Sequence, residues 1–161
     1  MISPEALRRY PYFAGLPDDT LRQVAMLGEE RTFVRGEELF EESPALRPGA
    51  TLDEKGDEAK HLMILTRGEV DLIYQLADGE EIVVGTQTAG DLIAISALIE
   101  PYQLTTRARA RSDGALITLQ AAQLRALCAE DARLGYLLMR QVARALRARL
   151  EDVRVQLAGM S

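Results

Sequence analysis

Between His61 and Leu119 the chain runs in short segments of alternating apolar and polar residues, separated by turns rich in glycine and aspartate. A period of two is that of strands with one buried face, and turn signals at hairpin spacing join such strands antiparallel. His61–Arg67 leads through Gly68 into Glu69–Ala77, where Val70, Leu72, Tyr74 and Leu76 face away from Glu69, Asp71 and Gln75. Asp78-Gly79 is a hairpin turn pair, Glu81–Gln87 returns, and Ser112-Asp113-Gly114 turns the chain into Ala115–Leu119. Upstream, Arg31–Val34 and Glu38–Glu41 read as two more short strands joined at Arg35-Gly36. This pattern suggests a barrel or jelly roll rather than a parallel sheet. The expected fold is mainly β with α: a double-stranded β-helix, or jelly-roll barrel.

Helical signals bracket the strands. Ser3-Pro4-Glu5 opens a short helix running to about Arg9, and Tyr10-Pro11-Tyr12-Phe13 breaks it. A second helix starts at Pro17-Asp18-Asp19, carries Leu21, Val24, Ala25 and Leu27 on one side, and is expected to end near Gly28. Beyond Ala121 there is no proline, and Gly135 is the only glycine before Gly159. A short helix over Ala121–Ala129 leads through Asp131 into a long one reaching about Ala158. On it Met139, Val142, Leu146, Leu150, Val153 and Leu157 recur three or four apart. Part of this seam can pack on its own barrel. The distal turns are expected to meet a second copy, giving a parallel homodimer. The chain thus divides into 1–120, the barrel with its N-terminal helices, and 121–161, the C-terminal dimerisation helices. Residues 43–60 hold two prolines, two glycines and many charges, and are expected to form a long surface loop.

Composition narrows the function. The chain of 161 residues has a net charge of −6 and a pI near 4.9, which weighs against direct nucleic-acid binding. Arg140, Arg144, Arg147, Arg149 and Arg154 cluster late in the chain, as a solvated face or a partner surface. No apolar run reaches the ~18 residues of a membrane span and no export signal is evident, so a cytoplasmic protein without membrane contact is expected. The single cysteine, Cys128, excludes an internal disulfide. No nucleophile–base pair, glycine-rich phosphate loop or metal-ligand spacing stands out, so neither catalysis, a metal nor a cofactor is expected.

The stretch Ala89–Ala110 reads as a strand, one helical turn and a second strand. Ser96 is expected to cap the turn, Pro101 to end it, and Leu104–Arg111 to resume extended structure. Phe13-Ala14-Gly15-Leu16, Gly36-Glu37-Glu38-Leu39-Phe40, Gly56-Asp57-Glu58-Ala59, Gly68-Glu69-Val70 and Gly90-Asp91-Leu92 follow one another in an order and spacing that resemble the cyclic-nucleotide-binding domain family. That family includes the sensor half of the catabolite activator protein.

The resemblance implies a phosphate-binding cassette after Gly90-Asp91. Counting from this pair, the cassette glycine falls on Ala94, its glutamate on Ile95, its alanine on Ala97 and its leucine on Leu98. Counting back from Arg109-Ala110, its arginine falls on Leu104 and its Ser/Thr on Thr105. The residues that would hold the ribose hydroxyl and the phosphate are therefore both apolar. If Leu104 points inward, then Thr106, Ala108 and Ala110 do as well, while Thr105, Arg107, Arg109 and Arg111 point out.

The expectation is a dimeric, non-catalytic regulatory or sensor domain that does not bind cyclic nucleotide in the family's usual manner. Its candidate pocket comprises Ala94, Ile95, Ser96, Ala97, Leu98, Leu104, Thr105 and Thr106, with turn amides near Ser96 as anchors and a more apolar ligand, or none. The resemblance implies signalling by a population shift in which cassette and long helix move together. Two alternatives remain: the sensor half of a transcription regulator truncated before its DNA-binding domain, or a protein-interaction scaffold working through the 43–60 loop or the arginine face. Some relatives of this fold bind haem, for which His61, Met63 and Cys128 are the residues at hand.

Overall fold

The computed structural model describes residues 1–40 and 58–159, so the loop expected at 43–60 falls almost wholly outside the described residues. Helices α1 (Pro4–Arg8) and α2 (Asp18–Met26) precede strands β1 (Gly28–Phe33), β2 (Glu38–Phe40), β3 (His61–Arg67), β4 (Val70–Gln75) and β5 (Glu81–Gln87). Strand β6 (Leu92–Ile93), a 3-10 helix (Ile95–Leu98), β7 (Arg107–Ala110) and β8 (Gly114–Gln120) follow. Helices α3 (Ala121–Glu130) and α4 (Ala132–Gly159) close the chain. Among the described residues the strands form two four-stranded antiparallel sheets, ordered β1-β8-β3-β6 and β2-β7-β4-β5. This is the expected mainly-β architecture with its long C-terminal helix.

Alternation along the strands creates two cores. Phe33, Leu39, Met63, Leu65, Val70, Leu72, Ile93, Ala108 and Leu116 fill the space between the sheets. Leu62, Ile64, Ile117 and Leu119 project from the other face of the first sheet. There they meet Leu7, Phe13, Leu21 and Val24 of the N-terminal segment and Leu124, Leu134, Leu138 and Val142 of the C-terminal helices. β3 is therefore buried on both faces, which explains its nearly continuous apolar sequence.

The local signals hold where the chemistry is simple. The Ser3 hydroxyl accepts the Glu5 amide proton at 3.2 Å, capping α1. Gly79, at φ +88°, completes the β4–β5 hairpin, and the Glu80 amide donates to Asp78 Oδ1. Helix α2 ends at Met26, close to the expected stop, and Gly28 begins β1, where the Ile2 and Leu119 side chains occupy the space a Cβ would need. Two local expectations are corrected. Ser96 does not cap the cassette turn. The capping position is Ala94, in the left-handed region at φ 57° and ψ 39°, and no side chain caps the turn. Extended pairing resumes at Arg107 rather than Leu104.

Asp131 separates α3 from α4 and serves the second. Its Oδ1 accepts the Arg133 and Leu134 amides at 3.1 and 3.2 Å, and its Oδ2 accepts the Thr20 hydroxyl at 3.0 Å, tying α2 to the start of α4. The Leu134 amide, then the Thr20 hydroxyl, hold the carboxyl below its usual range. A depressed folded-state pKa stabilises above the unfolded-state value near 3.8 and loses that stabilisation as pH falls through the folded-state value. Asp131→Ala is expected to cost about 1 kcal/mol at neutral pH. The gap between wild-type and variant melting temperatures should narrow as the medium is acidified below that range. An unchanged gap would mean that the carboxylate charge contributes nothing to the cap.

Helix α4 continues past α3 and lies against β5. The Gln156 amide nitrogen donates to the Val83 carbonyl at 3.1 Å, and Asp152 Oδ2 sits 2.9 Å from where a Cβ on Gly85 would be. A glycine within a strand here permits a close approach by the helix. No described helix is long and apolar enough to cross a membrane.

Candidate functional site

The cassette turn is held on three sides. Below it, Gly90, at φ +99°, donates its amide to the Leu65 carbonyl, and its own carbonyl accepts the Tyr12 hydroxyl at 2.9 Å. Burial raises the pKa of that phenol far above its usual value, so Tyr12 stays a neutral donor. Ala94 takes the left-handed backbone that the family's cassette glycine would adopt without strain, at a cost of about 1 kcal/mol for an alanine. On the third side Arg125 of α3 donates from Nη1 to the Ala97 carbonyl at 2.6 Å, and its guanidinium lies 3.9 Å above the Tyr102 ring. Nothing in the cassette sequence signals this clamp, because it comes from a helix more than twenty residues downstream.

The eight candidate positions do not share one cavity. Ile95, Ser96 and Thr105 line a cleft of about 240 Å³, together with Ile99, Glu100, Pro101 and Gln103, and with Leu146 and Arg149 from α4, so that it holds one carboxylate and one guanidinium. Ala94 is buried between the sheets, whereas Ala97 and Leu98 belong to the helical-side core. Leu98 also borders a cleft of about 200 Å³ with Tyr102, Cys128 and Met139. Thr106 is buried, and Leu104 is half-buried where the two cores meet. Ile95 is both cleft wall and core: 2% of its surface is exposed. The turn amides are partly committed, since the Ala97 amide donates to the Ala94 carbonyl at 3.0 Å and the Ile99 amide to that of Ser96 at 3.2 Å.

The β7 arginines point outward. Arg107 and Arg109 share Glu38 and Glu81 in a four-charge network, with N–O distances of 2.9 to 3.1 Å. Hydrogen bonds from Arg109, more than from Arg107, hold the Glu81 carboxyl below its usual range. Thr106, Ala108 and Ala110 alternate with them and are buried. Bringing either arginine inward would shift the strand by one residue and expose that buried set.

One cation of the cleft escaped the strand-based reading. Arg149 lies on α4, and its Nε is buried without a hydrogen-bond partner. Burial lowers its pKa from the usual guanidinium value, while interaction with the Tyr74 side chain acts in the opposite sense. A periodicity count on α4 places Arg149 beside the apolar seam, but only the docking of α4 on β5 turns it toward the cassette.

The seam itself divides. Val142 is buried in the helical core and Val153 packs against the inter-sheet core. Met139, Leu146, Leu150 and Leu157 remain exposed, as does Tyr136. Cys128 is half-buried, and burial, with a contribution from the Asp131 charge, pushes its thiol up to about 11. Such a thiol is protonated and poorly nucleophilic at neutral pH. His61 and Met63 both lie on β3, where Met63 is buried between the sheets, whereas Cys128 lies on α3. Among the described residues no group of three or more His, Cys, Asp or Glu side chains could hold a metal ion.

Residues 44–131 match the family model for the cyclic nucleotide-binding domain. A candidate cyclic nucleotide-binding protein from Geobacter metallireducens is 34% identical over 93% of this chain and 99% of its own, with a TM-score of 0.74. The N-terminal domain of a transcriptional regulator from Streptomyces coelicolor is 27% identical over 91% of this chain and 94% of its own, with a TM-score of 0.62. The catabolite activator protein of Thermus thermophilus shares the fold at 21% identity, over 92% of this chain and 63% of its own, with a TM-score of 0.67. No curated protein matches the chain.

Proposed function

Because the chain belongs to the cyclic nucleotide-binding domain family, we propose that it is a non-catalytic regulatory domain whose cassette has lost the family's usual means of holding a cyclic nucleotide. The observation that carries this reading is the pair Ile95 and Leu104. Both are apolar and pack in or against the core, and the resemblance assigns to them the positions of a ribose-binding glutamate and a phosphate-binding arginine. The β7 arginines that stand nearest in sequence are neutralised on the outer face. A desolvated phosphate without its cationic partner typically loses about 2–5 kcal/mol. Calorimetric titration of the purified protein with cyclic AMP and cyclic GMP is expected to give no binding in the micromolar range. Micromolar or tighter binding, unaffected by substitution on α4, would overturn the reading.

The domain works as a homodimer through α4. Four leucine or methionine side chains on this helix are exposed, and Leu150 and Leu157 are each 61% exposed. A contiguous apolar stripe on a helix of 28 residues suits a second copy of the same helix. Burying each leucine contributes about 2 kcal/mol. Leu150→Glu is therefore expected to convert the wild-type dimer to a monomer in sedimentation while leaving the circular dichroism spectrum unchanged. A wild type that sediments as a monomer would sink the dimer.

The likeness to the Streptomyces coelicolor domain favours a second reading, in which this domain is the sensor half of a transcription regulator. Both readings assign the same role to the cassette and α4.

A further inference from the structure

Helix α4 carries a seven-residue repeat. Tyr136, Ala143, Leu150 and Leu157 recur at one position of it, and Met139, Leu146 and Val153 three residues further on. All but Val153 are exposed. One flank of this seam is the column Arg140, Arg147 and Arg154, and the other is Gly135, Val142, Arg149 and Gln156. A two-stranded coiled coil ordinarily sets its orientation by opposite charges on these two flanks. Neither flank of α4 holds a carboxylate, so a second α4 offers these arginines no counter-charge. Two of them are engaged within their own helix: the Arg140 guanidinium lies 5.5 Å from the centre of the Tyr136 ring, and Arg154 Nη1 lies 3.5 Å from Glu151 Oε2. Arg147 is exposed and has no partner among the described residues.

Glu100 is its complement. This exposed carboxylate lines the cleft of about 240 Å³ together with Leu146. It accepts the Tyr102 hydroxyl at 3.5 Å, and no described cation lies within ion-pair distance of it. Arg149, in the same cleft, interacts with the Tyr74 side chain instead. The flank that carries Val142 and Gln156 is the side of α4 docked on its own chain, since Val142 is buried and Gln156 bonds β5. In a parallel pair, the arginine column of one helix faces this docked flank of the other, and a residue next to Leu146 in the seam touches Leu146 across it. In an antiparallel pair the two arginine columns would oppose each other.

We propose that in the α4 homodimer Glu100 pairs with Arg147 of the partner subunit, once for each protomer, and that these two ion pairs hold the helices parallel. The inference rests on the reading that α4 meets a second copy. It deepens that reading by assigning an interface outside the helix, between one protomer's α4 and the rim of the other's cassette turn. Rim charges of this kind contribute little to affinity individually and select among arrangements of similar apolar contact.

The test is a charge exchange in the full chain, read as the dimer dissociation constant by analytical ultracentrifugation. Glu100→Arg and Arg147→Glu, each folded by circular dichroism, are expected to weaken the dimer about tenfold, because repulsion replaces attraction at two symmetric places. Arg147→Gln, which removes the attraction without adding repulsion, should weaken it about threefold. The decisive sample is an equimolar mixture of Glu100→Arg and Arg147→Glu. A heterodimer of the two restores opposite charges at both contacts only if the pairs run between subunits, so the mixture should associate within about threefold of wild type. A mixture no tighter than either variant alone would overturn the proposal, since the charges would then act within one chain or separately. Single variants as tight as wild type would overturn it as well, leaving the homodimer intact. A wild type that is monomeric throughout would instead remove the homodimer reading, and this inference with it.

Discussion

Gly114→Val is expected to abolish folding at ambient temperature, and Gly114→Ala to cost about 3 kcal/mol. A Cβ at the first residue of β8 would meet the Arg67 carbonyl oxygen on one side and the Phe33 ring, 2.5 Å away, on the other. Neither neighbour can yield cheaply. Arg67 is main chain at the irregularity where β3 meets β8, and Phe33 is buried between the sheets and paired with Gly114. The cost is one of space, because the Gly114 backbone is not in the left-handed region. Gly79 is the matched control. It has φ +88° with nothing within 4 Å of its would-be Cβ, so Gly79→Ala incurs backbone strain alone, about 1–2 kcal/mol. Urea denaturation of the three variants would decide the matter. A Gly114→Ala as mild as Gly79→Ala would mean that the β3–β8 junction gives way freely.

The double variant Ile95→Glu, Leu104→Arg is expected to gain cyclic-nucleotide affinity by roughly 30-fold to several thousandfold, measured by calorimetry against wild type. Leu104 is half-buried at the seam between the two cores, so an arginine there can reach the cassette without displacing a fully enclosed side chain. Ile95 is the costly position. It is almost fully buried, and an ionised carboxylate there destabilises the apo protein by a few kcal/mol until a ribose hydroxyl meets it. Apo variant should therefore melt below wild type and recover on adding cyclic AMP, by mass action. A folded variant that still ignores cyclic AMP would show that the cassette register is misplaced. A variant that binds only when Arg149 is intact would show that α4 shares the phosphate.

The sequence made the strands visible because each buries one face or two, and burial imposes a period. The β4–β5 hairpin was legible from Asp78-Gly79, and the inward set Thr106, Ala108 and Ala110 from the arginines between them. What pattern could not reveal depends on contacts between distant elements. Ala94 adopts a glycine-like backbone although nothing local requires it, so Ser96 looked like the cap. Gly28 follows the end of α2 as expected, but the side chains that exclude a Cβ there, Ile2 and Leu119, come from outside its neighbourhood in sequence. Arg149 was grouped with arginines read as a solvated face or a partner surface, since its environment is set by α4 docking on β5. Gly85 was the available clue, a glycine in mid-strand where a helix comes close.

Leu146 belongs to two surfaces at once: it lines the cleft beside Arg149, and 43% of it remains exposed on the stripe that would meet a second copy. If the cleft takes a ligand and α4 pairs with a second copy, both events draw on this side chain, and a ligand that moves it carries a coupling free energy to association. Reciprocity then requires that the apparent ligand Kd vary with protein concentration, and that the ligand move the association constant by the same factor. A regulator built this way reports its own abundance along with its ligand.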